Sequence, residues 1–146
     1  MQERNSRSRL LLTTTLLVSS MTCAHAAEQR NTTFNSSNGL SATYVTCQKQ
    51  ARGAVERAAC VSQEETLQDR RLNKAYKLLL SSLKADVRTK LVEAQRAWLQ
   101  SRTKDGNLEA AIYGDSQAEN IESAEAAMLR LTARADQLEK YAALIN

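Results

Sequence analysis

No proline interrupts this 146-residue sequence, glycine occurs only four times, and no stretch alternates apolar and polar residues long enough to read as a strand. With few breakers and no period of two, sheet architectures lose their support and long helices gain it. Histidine is nearly absent as well, since His25 is the only one. It lies in an N-terminal segment that reads as a secretory signal, so the mature domain would carry none. Such a domain builds neither a Ser-His-Asp nor a Cys-His site and lacks the commonest metal ligand. No phosphate loop, EF-hand pattern or metal cluster is present, and no cofactor or metal site is expected.

Long hydrophobic runs are missing too. The sustained apolar segment, Leu10 to Ser20, is far shorter than the roughly 20 residues of a spanning helix. It follows Arg4, Arg7 and Arg9 and precedes Ala24-His25-Ala26, the charged, apolar, small-x-small order of a cleaved signal. Residues 1–26 therefore read as a signal peptide cleaved near Ala26, which makes the protein periplasmic or secreted. No transmembrane segment is expected in the mature chain. Lipidation at Cys23 is the rival reading, disfavoured because Ser20-Met21-Thr22 departs from the apolar-small-small sequence that precedes a lipidated cysteine.

The chain holds 20 basic and 16 acidic residues, and removal of the signal leaves 17 and 15, a net of +2. So even a balance gives no reason to expect nucleic acid as a partner. About 120 residues remain, enough for one domain with a modest core. Two cysteines remain with them, Cys47 and Cys60. In an exported protein an even pair reads as a disulfide, worth about 3 kcal/mol for so short a loop in the chain-entropy model. A redox pair would usually be two residues apart, so the staple is preferred.

From Ala27 to Thr43 the composition is rich in Ser, Thr, Asn and Gly, and residues 27–44 read as a flexible leader. Its Asn31 and Asn35 sequons matter only in a eukaryotic secretory pathway. The helical domain is assigned to 45–146. Residues 48–59 form a weak amphipathic turn or short helix between the cysteines. Ser62-Gln63-Glu64-Glu65 has the form of a capping box and places the start of the first long helix, which runs to about Leu83. A second helix, capped by Asp86, runs to about Lys104. The two present stripes, Leu72, Tyr76, Leu79, Leu83 and Val87, Leu91, Ala94, Trp98, that predict an antiparallel hairpin. Asp105-Gly106-Asn107 reads as a break, 108–113 as a short helical piece closed by Gly114, and Ser116-Gln117-Ala118-Glu119 as a second capping box. The last helix carries a seam at Ile121, Ala124, Met128, Leu131, Ala135, Leu138 and Ala142. The predicted fold is all-α: a three-helix bundle built on the hairpin, with a disulfide-tethered short N-terminal helix.

Polar residues on the stripes are the candidates for chemistry. Asn73 sits between stripe residues, and Gln95, Trp98 and Arg102 share one helical face. The reading preferred from spacing is an internal network, with Asn73 meeting Gln95 across the hairpin and Arg102 reaching a carboxylate or helix end; a ligand-contacting cluster is the alternative. Trp98 reads as core, with a binding anchor as the alternative. The carboxylate pairs Glu64/Glu65 and Glu119/Glu122 read as solvated helix surface and not as general acid and base.

Charge is segregated. Residues 70–104 hold ten basic side chains against Asp86 and Glu93, whereas residues 105–125 hold six acids and no Lys or Arg. Complementarity within the chain is one account. The other is an acidic prow for a cationic partner and a basic flank for anionic envelope polymer.

The order Cys47, Cys60, Leu72-Asn73-x-x-Tyr76, Leu91-x-x-Ala94-Gln95-x-Ala97-Trp98-x-x-x-Arg102 and Leu131-Thr132-x-Arg134-x-x-x-Leu138 resembles the LprI-type lysozyme-inhibitor family of small exported bacterial helical proteins. The resemblance covers roughly Cys47 to Leu138. It implies a non-enzymatic envelope protein that acts by protein–protein binding, with lysozyme or another cationic envelope protein as partner. A structural or adaptor module that binds anionic cell-envelope polymer, or a partner protein, through the basic hairpin is the competing class. Family members commonly carry a cysteine soon after the Arg matched by Arg102 and another about five residues before the Thr matched by Thr132. Both are missing here, which implies a looser elbow between the last two helices. Asp105, Glu109, Asp115 and Glu119 of that elbow are the expected partner contacts, with Tyr113 as their aromatic anchor.

Overall fold

The computed structural model describes residues 39–114 and 116–145, which form four α-helices and no strand. They are α1 (Ala42–Gln50), α2 (Ala54–Ser82), α3 (Ala85–Tyr113) and α4 (Gln117–Ala143). The signal-like segment, most of the leader, and Asp115 lie outside the described residues. No described helix is long and apolar enough to cross a membrane.

Helix α1 starts at Ser41, whose hydroxyl accepts from the Tyr44 amide at 3.0 Å. Ser41 and Tyr44 are both buried. The packed domain thus begins a few residues before position 45, because this cap is held by the core and not by local composition. The Cys47–Cys60 disulfide joins α1 to α2, with Cα atoms 5.8 Å apart.

Helix α2 begins at Ala54, not at Ser62. A Ser-x-x-Glu sequence caps only where the chain before it leaves the helix. Here Ala54, Ala58 and Ala59 are strong helix formers, and Cys60 and Val61 are buried against α1 and Met128. Leu83 and Lys84 make the turn into α3, which runs without a break through Asp105-Gly106-Asn107 to Tyr113. One glycine costs a helix about 1 kcal/mol, and bonds on both sides of Gly106 outweigh it: Ser101 donates to Asp105, and Arg130 of α4 holds Glu109. Residues 108–113 are therefore the last turns of α3 and not a separate piece. Gly114 ends α3 with φ +78°, a left-handed conformation that suits glycine. Ser116 and Glu119 then form the expected capping box of α4.

The bundle is organised by α2 and α4, with α3 leaning on both. Residues 58–65 face 117–124, and Arg71 reaches Asp136 and Glu139 further along, so α2 and α4 run parallel and α3 runs against them. Leu72, Ala75 and Leu79 of α2 pack on Leu131, Ala135, Leu138 and Ala142 of α4, where the alanines permit close approach. Among the described residues of α3 only Leu91 and Gln95 are buried, and Val87 and Ala94 of its presumed stripe face solvent.

Between this core and the α1 cluster lies a polar layer. Glu64 is 2 % exposed and accepts from the Ser41 amide (2.8 Å), the Ser41 hydroxyl (2.5 Å) and Gln68 Nε2 (2.6 Å). Arg71 closes the layer by donating to Gln68 Oε1 and to the Gly39 carbonyl. Glu64 is thus no solvated surface carboxylate. Its three donors meet the desolvation cost that would otherwise expel it from the interior.

Candidate functional site

Two places gather the side chains singled out by sequence. The first is a cleft of about 350 Å³ between α2 and α3, lined by Leu72, Asn73, Tyr76, Gln95, Trp98 and Arg102, with Leu131 contributed by α4. These residues lie one or two helical turns apart on facing helices, which is why two short motifs distant in sequence meet here.

Asn73 and Gln95 share this cleft but do not bond to each other. The Asn73 amide donates to the carbonyl and carboxylate of Asp69 on its own helix, each at 2.9 Å. Gln95 Oε1 accepts from Arg134 Nε (3.0 Å) and Nη2 (2.9 Å). The internal network therefore runs from α3 to α4 and not from Asn73 to Gln95 across the hairpin, since each amide is already engaged elsewhere. Arg102 does reach a carboxylate, donating to Glu65 at 3.0 Å. Trp98 is half-buried, with the guanidinium carbons of Arg102 and Arg134 at 5.9 and 5.8 Å from its ring centre, within cation–π range. Arg134 donates only to neutral oxygens, those of Gln95 and Gln137 (2.6 Å), and burial pulls its pKa below the ordinary arginine value. Thr132 bonds back to the Met128 carbonyl within α4 at 3.0 Å and serves the helix itself.

The second place is the elbow where α3 turns into α4. Glu109 makes a two-pronged ion pair with Arg130, and Asp105 lies 4.0 Å from the same guanidinium. The hydrogen bonds from Arg130 hold the Glu109 carboxyl below the usual carboxylate range. Glu119 accepts from the Ser116 amide at 3.0 Å, and the Ser116 side chain lowers its pKa in turn. Tyr113 is half-buried between these carboxylates in sequence. Part of the acidity is thus answered within the chain, as the intramolecular account expects, while Glu122 remains on the surface with no bond to another described side chain.

Sequence reasoning missed Leu108 and Ile112. They stand one turn apart on the last part of α3 and are 59 % and 69 % exposed. Their apolar i, i+4 spacing was visible, but treating 108–113 as a detached piece hid the fact that they crown a long helix. On the basic hairpin, Arg71 is committed to Asp136 and Glu139, leaving Arg70 and Lys74 as the exposed cations nearby. A further hollow of about 430 Å³ between α2 and α4 is walled mainly by Ala58, Val61, Ile121 and Ala124. No group of three or more His, Cys, Asp or Glu among the described residues is placed to hold a metal ion.

Comparison with known proteins adds one finding. The family model described as "Lysozyme inhibitor LprI" matches residues 47–138. No curated protein and no solved structure matches this chain.

Proposed function

Because this chain belongs to the lysozyme inhibitor LprI family, we propose that it binds and inhibits a lysozyme in the bacterial envelope, acting by protein–protein contact and not by catalysis. The export signal read from residues 1–26 and the disulfide suit an oxidising compartment outside the cytoplasm. The contact surface in this reading is the elbow. The observation that carries it is the exposure of Leu108 and Ile112 in the stretch that also holds Asp105, Glu109, Tyr113 and Glu119. Lysozymes are commonly cationic. Carboxylates there would steer the encounter, while an apolar pair and a tyrosine supply the desolvated centre that fixes affinity.

Titration of the disulfide-bonded protein into c-, g- and i-type lysozymes, with lysis and binding followed together, tests this. Stoichiometric inhibition of one class is expected. Leu108→Ala with Ile112→Ala should weaken it by roughly tenfold or more, the scale of losing an interface anchor. These variants are cleaner than charge reversal at Glu119, which would also remove the α4 cap. Full inhibition by the double variant would move the contact surface elsewhere.

The exposed cations of the hairpin favour one second reading, an adaptor for anionic envelope polymer. Arg70, Lys74 and Lys77 have no carboxylate partner among the described residues. Salt-sensitive polymer binding lost on neutralising Arg70 and Lys74, with lysozyme unaffected, would identify that role.

A further inference from the structure

We propose that the end of the bundle opposite the elbow docks on an anionic lipid surface, its exposed apolar side chains entering the headgroup region and a collar of cations facing lipid phosphates. The inference rests neither on lysozyme binding nor on the hairpin cations Arg70 and Lys74.

Helices α2 and α4 finish together at this end and α3 begins there, since Leu79 and Leu83 share one cluster with Leu138, Ala142 and Leu91. Past that cluster the core positions run out into solvent. Val87 lies one turn before Leu91 on the same face of α3, yet it is 42 % exposed. Leu144, just beyond α4, is 75 % exposed, and Leu78, Tyr141 and Ile145 show 40 % to 44 % of their surface. Of the ten exposed large hydrophobics among the described residues, these five stand within about one turn of the same helix ends. Scattered singly they would need no explanation, but gathered at one end and rimmed by charge they mark a contact surface.

The charge selects the partner. Lys77, Lys84, Arg88, Lys90 and Lys140 are all exposed and stand within two turns of these helix ends. The acids in the same span are Asp86 and Glu139, and Glu139 is held by Arg71. A second copy docked end to end would set two cation collars against each other, and a cationic protein would be repelled. A soluble polyanion would answer the lysines but leave the apolar side chains in water. A bilayer with anionic headgroups answers both, because apolar side chains enter the boundary of headgroups and acyl chains while lysine stems reach back to the phosphates. Tyr141, whose hydroxyl accepts from Gln137 at 3.0 Å, is the residue type that settles at that boundary. The elbow offers the contrast: Leu108 and Ile112 are also exposed, but the stretch 105–125 holds six acids and no Lys or Arg. Helix α3 is 29 residues long, roughly 40 Å, so docking at one end leaves the elbow free at the other.

The chain from Ala27 to Asn146, with its disulfide intact, keeps all four helices and omits the apolar segment 10–20, which would itself partition into lipid. Its co-sedimentation with phosphatidylcholine vesicles, with and without phosphatidylglycerol, would be measured at low salt. Binding to the anionic vesicles, and at least about tenfold weaker binding to the neutral ones, are expected. Leu144→Ser with Ile145→Ser changes residues past Ala142 of the core, so the fold is kept, and binding should weaken by about tenfold or more. Lys84→Gln and Lys140→Gln should each weaken it roughly fivefold. Lys104→Gln removes the same charge near the elbow, more than a Debye length away, and should leave vesicle binding unchanged. Equal binding to the two kinds of vesicle, or an equal loss with Lys104→Gln, would overturn the cation collar. Full binding by the serine pair would overturn the apolar tip and reduce the contact to charge alone. A dimer in ultracentrifugation of the protein alone, dissociated by the same serine pair, would assign this end to a second copy instead. No binding at lipid concentrations up to about 1 mM would overturn the site altogether.

Discussion

Tyr44 is a buried phenol whose hydroxyl donates to Glu125 at 2.6 Å, tying the first described helix to the fourth. Burial raises its pKa, and the hydrogen bond and negative charge of Glu125 push it further up. An unfolded tyrosine ionises near pH 10. Above that pH the unfolded chain gives up a proton that the folded one still holds, so stability is complete below about pH 10 and falls as pH rises beyond it. In that window this one group contributes a loss of about 1.4 kcal/mol per pH unit. Urea denaturation from about pH 8 to about pH 11 should show that slope in the wild type and a shallower one in Tyr44→Phe. The variant should also be about 1 kcal/mol less stable at neutral pH, from the lost hydrogen bond. Parallel slopes for the two proteins would mean that Tyr44 ionises freely in the folded state.

At the scale of whole helices, α3 is the least anchored of the three long ones, and Gly106 weakens it further. A Cβ built at Gly106 would meet nothing within 4 Å, and its φ is not positive. Gly106→Ala should therefore stabilise the protein by about 0.5–1 kcal/mol, read as a higher midpoint in thermal or urea unfolding. Destabilisation would indicate a real break at this position. The same helix shows where the sequence was legible. The α4 seam could be read because nearly all its apolar positions are buried along one face of the helix. The buried face of α2 runs Cys60, Val61, Glu64, Gln68, Leu72, Ala75, Leu79, and an apolar pattern cannot reveal a stripe whose middle is a carboxylate and an amide. On α3 hydrophobic spacing found Leu91 and Trp98, which meet the core, but it included the exposed Val87 and Ala94 and could not mark the polar Gln95 as buried. The pairing of α2 with α4, across an intervening helix, depends on contacts far apart in the chain, and a local pattern favours the hairpin instead.

For the whole molecule, the question is what keeps the elbow in place, since no cysteine follows Cys60 in the sequence to staple it. Arg130 supplies a tie at that junction, joining α4 to Glu109 and to the neighbouring Asp105 of α3. A two-pronged guanidinium–carboxylate pair fixes direction as well as distance, but unlike a disulfide it is screened by salt and opens reversibly. The elbow should therefore be ordered at low ionic strength and loosen as salt rises, while the α2–α4 core, held by apolar contact, does not change. Arg130→Gln separates these two parts. Amide hydrogen exchange across residues 105–113 should speed up roughly threefold to tenfold in the variant, with residues 131–142 unaffected. If the elbow carries lysozyme contact, inhibition should weaken in step with that exchange and follow salt in the wild type alone. Loosening of 105–113 without loss of inhibition would show that the partner orders the elbow on binding. An exchange rate unmoved by the substitution would place the restraint in the helix ends, Gly114 and the Ser116–Glu119 cap, and not in the ion pair.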